Sequence, residues 1–301
     1  METARKYAGV SDRATSPVML AGIIDETTSS MTHKDPVGQT PEKKHQKVAA
    51  DTGAIAHPTS QLRDQLFSEP LSAPGAFSFN EAVASVFPDM INRSVPGYAT
   101  VISMTGHLAA GHARPGANIY DLGCSLGASL LSVAREPACQ NSQLIGIDNS
   151  EAMLSAARSH LAQFPEGAQI QLQAGDVADL QLTDACVVIM NYTLQFIPIA
   201  HREPVLRRIR EAMVPGDLII LSEKISLTDD ELNRRLIDLH HEFKRQQGYS
   251  DLEISQKRDA LENVLVPETR ETHVARLMEV GFSRCDLWFQ CLNFASFIAI
   301  A

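Results

Sequence analysis

The chain is poor in aromatics at its start, poor in basic charge where nucleic acid would demand it, and free of long apolar runs. Of its 17 aromatic residues only Tyr7 lies within residues 1–60, a stretch that also holds seven basic and seven acidic side chains and is rich in Thr, Ser, Gly, Pro, Lys and Gln. Such a segment cannot bury enough apolar surface to offset the entropy of ordering, so a flexible leader is expected over 1–60. No run approaches the roughly 18 apolar residues of a membrane helix, so no membrane partner is expected. Val18–Ile24 is short for a signal-peptide core, and Asp25-Glu26 follows it where small residues would mark a cleavage site, which points to a cytoplasmic protein. The five cysteines (Cys124, Cys139, Cys186, Cys285 and Cys291) are odd in number and contain no C-x-x-C pair. Buried, reduced thiols are expected in place of a disulfide framework.

The 301 residues are 44% hydrophobic with a net charge of −10, and all of that charge arises from residue 61 onward, where 29 acids face 19 bases. An acidic body of this kind excludes tight non-specific contact with nucleic acid, whose phosphates require a basic face. No direct tRNA binding is therefore expected.

From Ala117 short β-rich runs alternate with helical patterns, the rhythm of an α/β fold with a mostly parallel sheet and helices on both faces. Strands are expected at 118–122, 143–147, 170–174, 185–190 and 218–221, with helices at 128–135, 151–163 and about Glu203 to Met213. Ser150 is placed to cap the second of these helices. The uninterrupted Cys186-Val187-Val188-Ile189-Met190 is what a strand covered on both faces requires. Residues 80–110 read as a helical N-terminal cap (61–115 with its flanks) and 225–282 as a helical insertion broken at Gly248 and Pro267. The runs 287–291 and 294–300 are expected to close the sheet as a C-terminal antiparallel hairpin. The whole of 61–301 is thus expected to be one ligand-binding α/β domain.

Polar residues follow the carboxyl end of each strand, the edge at which open α/β sheets bind ligands. After the first strand Gly123 and Gly127 give G-x-x-x-G, not G-x-G-x-x-G, with no basic residue and no Walker lysine in the loop. A ligand with an amino-acid end and a nucleoside end suits this turn better than a nucleotide. Asp148 closes the second strand, placed for both ribose hydroxyls. Asp176 and Val177 close the third, placed for an adenine edge. Singly each acid serves equally well as a helix cap, but with Asp121-x-Gly123 the series points to S-adenosyl-L-methionine (SAM).

The same series, with Cys124-Ser125-Leu126-Gly127, Asp148-Asn149-Ser150 and Asn191-Tyr192-Thr193-Leu194-Gln195-Phe196, resembles the Rossmann-like class I methyltransferase fold. Three further blocks narrow the resemblance: Val86–Tyr98 (VFPDMINRSVPGY), Gly248–Arg258 (GYSDLEISQKR) and Leu287–Cys291 (LWFQC). From about Leu66 to Ala301 the chain is similar to the carboxy-S-adenosyl-L-methionine synthases, and nothing in residues 1–60 belongs to that likeness. The resemblance implies transfer of carbon dioxide from prephenate to the activated methyl of SAM, through a sulfonium ylide formed as decarboxylating prephenate takes up a methyl proton. Phenylpyruvate is released, no metal is needed, and the product passes to a separate enzyme that makes 5-carboxymethoxyuridine at the tRNA wobble position. It further implies a homodimer, with the helices of 229–280 as a contact surface.

The resemblance also assigns residues. Tyr98, Gly123, Cys124, Ser125, Asp148, Asn149, Asp176, Val177 and Asn191 match SAM-contacting positions, Cys124 through its backbone. Arg258 matches the arginine that reads the new carboxylate, a role suited to its fork geometry; the competing reading is a solvated helix cation paired with Glu262. His240 and His241 cannot share one helix face and His241-Glu242 is no zinc motif, so a structural role is expected for them. Arg202, Arg207, Arg208 and Arg210 read as one solvated helix face. Two rival functions use the same residues, a conventional SAM-dependent methyltransferase and a non-catalytic SAM-binding module; an Arg258 pointing to solvent would favour the former.

Overall fold

A computed structural model describes residues 62–72 and 75–301, so the leader expected over 1–60 and the Val18–Ile24 run lie outside the described residues. The described chain opens with two helices, α1 (Glu81–Ser94) and α2 (Tyr98–Ala110). They divide the expected helical stretch at Pro96-Gly97. Gly97 takes φ 78°, and a Cβ there would lie 2.4 Å from the Phe289 ring.

The body is a mixed eight-stranded sheet in which β1 (Asn118–Leu122), β2 (Gln143–Asp148), β3 (Ile170–Ala174), β4 (Ala185–Asn191) and β5 (Leu218–Ser226) run parallel. A two-residue strand, β6 (Glu268–Thr269), pairs with the end of β5. The hairpin β7 (Arg284–Cys291) and β8 (Phe294–Ile300) joins β5 antiparallel, giving the order β3-β2-β1-β4-β5-β8-β7. This is the Rossmann-like class I methyltransferase arrangement expected from the sequence. Five α-helices follow strands or the insertion in turn: α3 (Ala128–Ala134), α4 (Glu151–Leu161), α5 (Ile199–Glu211), α6 (Asp230–Gln246) and α7 (Asp251–Leu261), with α8 (Arg270–Glu279) leading back to the hairpin.

Strand periodicity explains the core. On β4, Val188 and Met190 pack with Val205, Leu206 and Ile209 of α5 and Leu277 of α8, while Val187 and Ile189 pack on the other face with Ala109 of α2 and Leu130 and Val133 of α3. Both faces of the strand are therefore apolar, as its sequence requires. Register aligns the carboxyl ends: Leu122 pairs with Ile147, Asp148 with Ala174, and Asn191 with Ser222. Strand order reverses between β1 and β4, so the turns after these strands open onto one edge.

Several boundaries differ from expectation. Helix α5 begins at Ile199, with Pro204 inside it, instead of at Glu203. Strand β5 runs to Ser226 because it keeps pairing with β8 as far as Lys224 and then with β6. Three cysteines are buried, but Cys285 and Cys291 on the edge strand β7 are half-buried; all five are free thiols. Arg202 is no surface residue. It is 0% exposed, and its guanidinium donates to the carbonyls of Ile197, Gln195 and Val266 and pairs with Glu268, which also binds Arg276. The reason is tertiary: β6 and the segment before it cover this side of α5. Arg208 and Arg210 also turn inward to backbone carbonyls, of Ala178 and Gly281, leaving Arg207 with Glu203 as the exposed pair.

Candidate active site

The aligned strand ends line a cavity of about 640 Å³. At the end of β1 both glycines of the turn have positive φ, 76° at Gly123 and 78° at Gly127. A Cβ on Gly123 would meet Thr193 Oγ1 at 2.4 Å, so only glycine lets the turn approach the β4 loop this closely. The turn is tied to β2: the amides of Gly123 and Cys124 donate to the Ile147 carbonyl, and Ser125 N donates to Asp148 Oδ2 at 3.0 Å. Asp148 Oδ1 accepts from Ser150 N at 2.9 Å. One carboxylate thus fixes two strand-end turns and still turns accepting lone pairs toward the cavity, with Asn149 beside it. Burial raises its pKa, against the pull of the Ser150, Ser125 and Asn149 amides.

Asp176 and Val177 line the cavity beyond β3, and Asp176 Oδ1 accepts from Ala178 N at 2.9 Å. Tyr98, at the start of α2, lies 6.3 Å from the Tyr192 ring. Burial, then the charge of Asp121, pushes its hydroxyl pKa up, so Tyr98 stays a neutral phenol. Asn191 is in the wall, but both its amide donors are already taken by Ser129 and Thr105, and its Oδ1 accepts from Ser222. Cys124 is buried, and burial, then Asp121 and Asp148, drives its thiol pKa far up. That is the opposite of an activated nucleophile.

Eight residues, Tyr98, Gly123, Cys124, Ser125, Asp148, Asn149, Asp176 and Val177, therefore meet at one cavity, with Asn191 in the same wall. Arg258 does not join them. Its side chain is 63% exposed and pairs with Asp259, not with Glu262. Helix α7 buries Ile254, Gln256, Lys257 and Ala260, which turns the next residue after Lys257 outward by one helical step.

Four charged lining residues were not given a site role from sequence. Asp121 is buried beneath the β1 turn, its pKa pushed up to about 8 by burial and by Asp148. Lys224, Lys244 and Lys257 converge from β5, α6 and α7, together with His240, which stands 5.0 Å from the Phe294 ring and shares its Nε2 with the Ser94 carbonyl. His240, expected from sequence to be structural, stands in the cavity wall. The i, i+4 spacing of His240 and Lys244 was the available signal. It was obscured because α6 inverts the usual pattern, burying these two polar residues and exposing Leu232 and Leu239. Among the described residues no group of three or more His, Cys, Asp or Glu could hold a metal ion, and no helix is long and apolar enough to cross a membrane.

Known proteins give this geometry its family. Residues 119–216 match the model of a methyltransferase domain. Human N-acetylserotonin methyltransferase, solved with SAM, is similar with a TM-score of 0.50 at 17% identity, over 73% of this chain and 55% of that one. An O-methyltransferase family protein from Burkholderia thailandensis gives 0.51 at 15%, over 73% and 58%. These likenesses speak for the fold alone. Sequence relatives are far nearer: the carboxy-S-adenosyl-L-methionine synthase of Hahella chejuensis is 49% identical over 246 residues, 80% of this chain and 99% of its own length. That of Haemophilus ducreyi is 46% identical over 238 residues, 79% and 98%. With identity of this depth across nearly the full length of those relatives, the chain belongs to the carboxy-S-adenosyl-L-methionine synthase family.

Proposed function

We propose that the protein converts SAM and prephenate to carboxy-S-adenosyl-L-methionine and phenylpyruvate. The observation that carries the proposal is the 49% identity to a synthase of that name over 99% of its length. The cavity supports it with a carboxylate at each of three successive strand ends and a glycine turn without a basic residue. In this reading Asp148, with Asn149, holds the ribose, Asp176 and Val177 hold the adenine edge, and Tyr98, Gly123, Cys124, Ser125 and Asn191 enclose the methionine end. Asp121 faces the cationic end of the same ligand. Residues 61–301 act as one SAM-binding domain, with 61–115 as cap and 225–282 as insertion.

The step balances without an external oxidant. The bond from the prephenate ring to its carboxylate breaks, and the electron pair aromatises the ring as the ring hydroxyl departs. That hydroxyl leaves as water with a proton of the SAM methyl, and the resulting carbanion bonds the released carbon dioxide. Arg258 reads the new carboxylate in this proposal. Because it faces away from the cavity of its own chain, it does so across a homodimer, whose contact the exposed Leu232 and Leu239 of α6 support. The product serves a separate enzyme that completes 5-carboxymethoxyuridine in tRNA, in keeping with the net charge of −10 on this chain.

Incubating the purified protein with SAM and prephenate and following products by mass spectrometry tests the reading. The expected product is SAM plus the mass of one carbon dioxide, with phenylpyruvate in equal amount; its absence overturns the proposal. The outward Arg258 favours one alternative, a conventional methyltransferase, for which the same assay with an acceptor shows a methylated product and S-adenosylhomocysteine.

A further inference from the structure

The far end of the cavity carries the opposite charge from its SAM-facing end. In the sheet order β3-β2-β1-β4-β5, Asp176 and Asp148 stand at the first two strands, the glycine turn at the third, Asn191 at the fourth and Lys224 at the fifth. Adjacent strands lie about 4.8 Å apart, so Lys224 on β5 stands one strand beyond Asn191 and about 10 Å from the glycine turn of β1. Lys244 and Lys257 reach the same end from α6 and α7, both buried.

The protein satisfies only one of these three cations. Lys257 Nζ donates to Ser94 Oγ at 3.1 Å and lies 3.5 Å from Asp64 Oδ2, a carboxylate that also accepts from Tyr249 Oη. Among the described residues Lys244, 8% exposed, has neither an ion pair nor a hydrogen bond from Nζ, and Lys224 has none either. The nearby Arg93 is already paired with Asp89. Three lysines against Asp64 leave two without a counter-ion. Leaving buried charge unpaired is costly, and such groups neutralise or wait for a ligand. Burial, then Lys257 and Lys224, depresses Lys244 to about 7.

We propose that Lys224, Lys244 and Lys257, with His240 as wall, form the subsite that holds the two carboxylates of the carboxyl donor. The inference rests on the reading above, in which that donor is prephenate, a dianion. Two lysines without a protein partner match it in number. A single cavity then presents acids to the cationic substrate and lysines to the anionic one, setting the breaking carboxylate beside the methyl group. Phe294, between His240 at 5.0 Å and Tyr192 at 6.1 Å, supplies an apolar face for the donor's ring.

Isothermal titration of prephenate into wild-type protein saturated with S-adenosylhomocysteine reads the subsite without requiring turnover. Lys244→Met and Lys224→Met should each weaken prephenate at least tenfold, weaken phenylpyruvate, with one carboxylate, less than threefold, and leave SAM affinity within twofold. Both variants should melt no lower than wild type, since an unpaired charge is lost. Binding at pH 8 should take up protons, because the dianion holds Lys244 charged among Lys257, Lys224, Asp64, His240 and His241; this uptake should shrink in Lys244→Met. Wild type that fails to bind prephenate, variants that bind it within twofold of wild type, or variants that lose SAM in step overturn the subsite. Wild type that binds prephenate through these lysines but forms no carboxylated product leaves the subsite standing and fails the reaction instead.

Discussion

Two regions of this molecule bury cations, and they do so in opposite ways. Under α5, Arg202 is wholly enclosed, yet three carbonyls and Glu268 occupy its donors, and Glu268 is shared with Arg276. At the cavity, Lys244 is buried and Lys224 half-buried without any such partner among the described residues. The first arrangement holds the insertion to the sheet, since each charge is compensated within the fold. The second leaves electrostatic work undone that only a ligand completes. A buried charge is thus read by its partners and not by its burial.

The sharpest way to break the comparison is to turn the first region into the second. Glu268→Ala leaves Arg202 and Arg276 without their carboxylate, and removing one partner of a buried pair costs about 3–5 kcal/mol. Urea denaturation should show a loss of this size, whereas Lys244→Met should show none. Asp148→Ala comes next. It removes a carboxylate that holds both the Ser125 and Ser150 amides as well as lining the cavity. Charge-assisted hydrogen bonds contribute about 1.5–3 kcal/mol each, so SAM affinity measured by titration should fall roughly 100-fold. A smaller and selective effect is expected at Arg258, on the solvent face: Arg258→Ala should weaken carboxy-S-adenosyl-L-methionine about tenfold and SAM hardly at all. Equal weakening of both would show that it does not read the carboxylate.

The mildest test uses pH. Asp121, at about 8, carries a proton at neutrality in the free protein, and a bound cation favours its charged form. Binding SAM therefore releases that proton, so affinity should decline as pH falls below about 8, at most tenfold per unit. Asp121→Asn should flatten this dependence. The same carboxyl, being raised, opposes stability in the free protein: its penalty is absent below the unfolded value near 3.8 and grows as pH rises toward about 8. The amide variant should therefore be the more stable of the two at pH 8 in the absence of SAM.

Much of the site was legible because it depends on local rules. The cavity residues after β1, β2, β3 and β4 each sit at the end of a strand, so strand period places them within a residue or two. Ser150 caps α4 through Met153 N, as its position implied. The lysine end was not legible in this way. Lys224 is reached only because β5 extends past Leu221 through pairing with β8, and Lys244 only because α6 turns its polar side to the cavity. Arg202 shows the same limit, since its helix face reads as solvated until β6 is laid over it. Arg258 and Lys257 are neighbours in one motif, and which of them enters the cavity depends on how α7 is rotated.

The sequence by itself determined the alternation of strands and helices, the glycine turn at Gly123 and Gly127, the acids at successive strand ends, and through its long blocks the family. These follow from backbone sterics and from periodicity, which act over a few residues. Only the tertiary structure decided which charges are buried and which of those are left unpaired. Charge compensation depends on groups brought together from distant parts of the chain, as Lys257 is with Asp64 and Arg202 with Glu268.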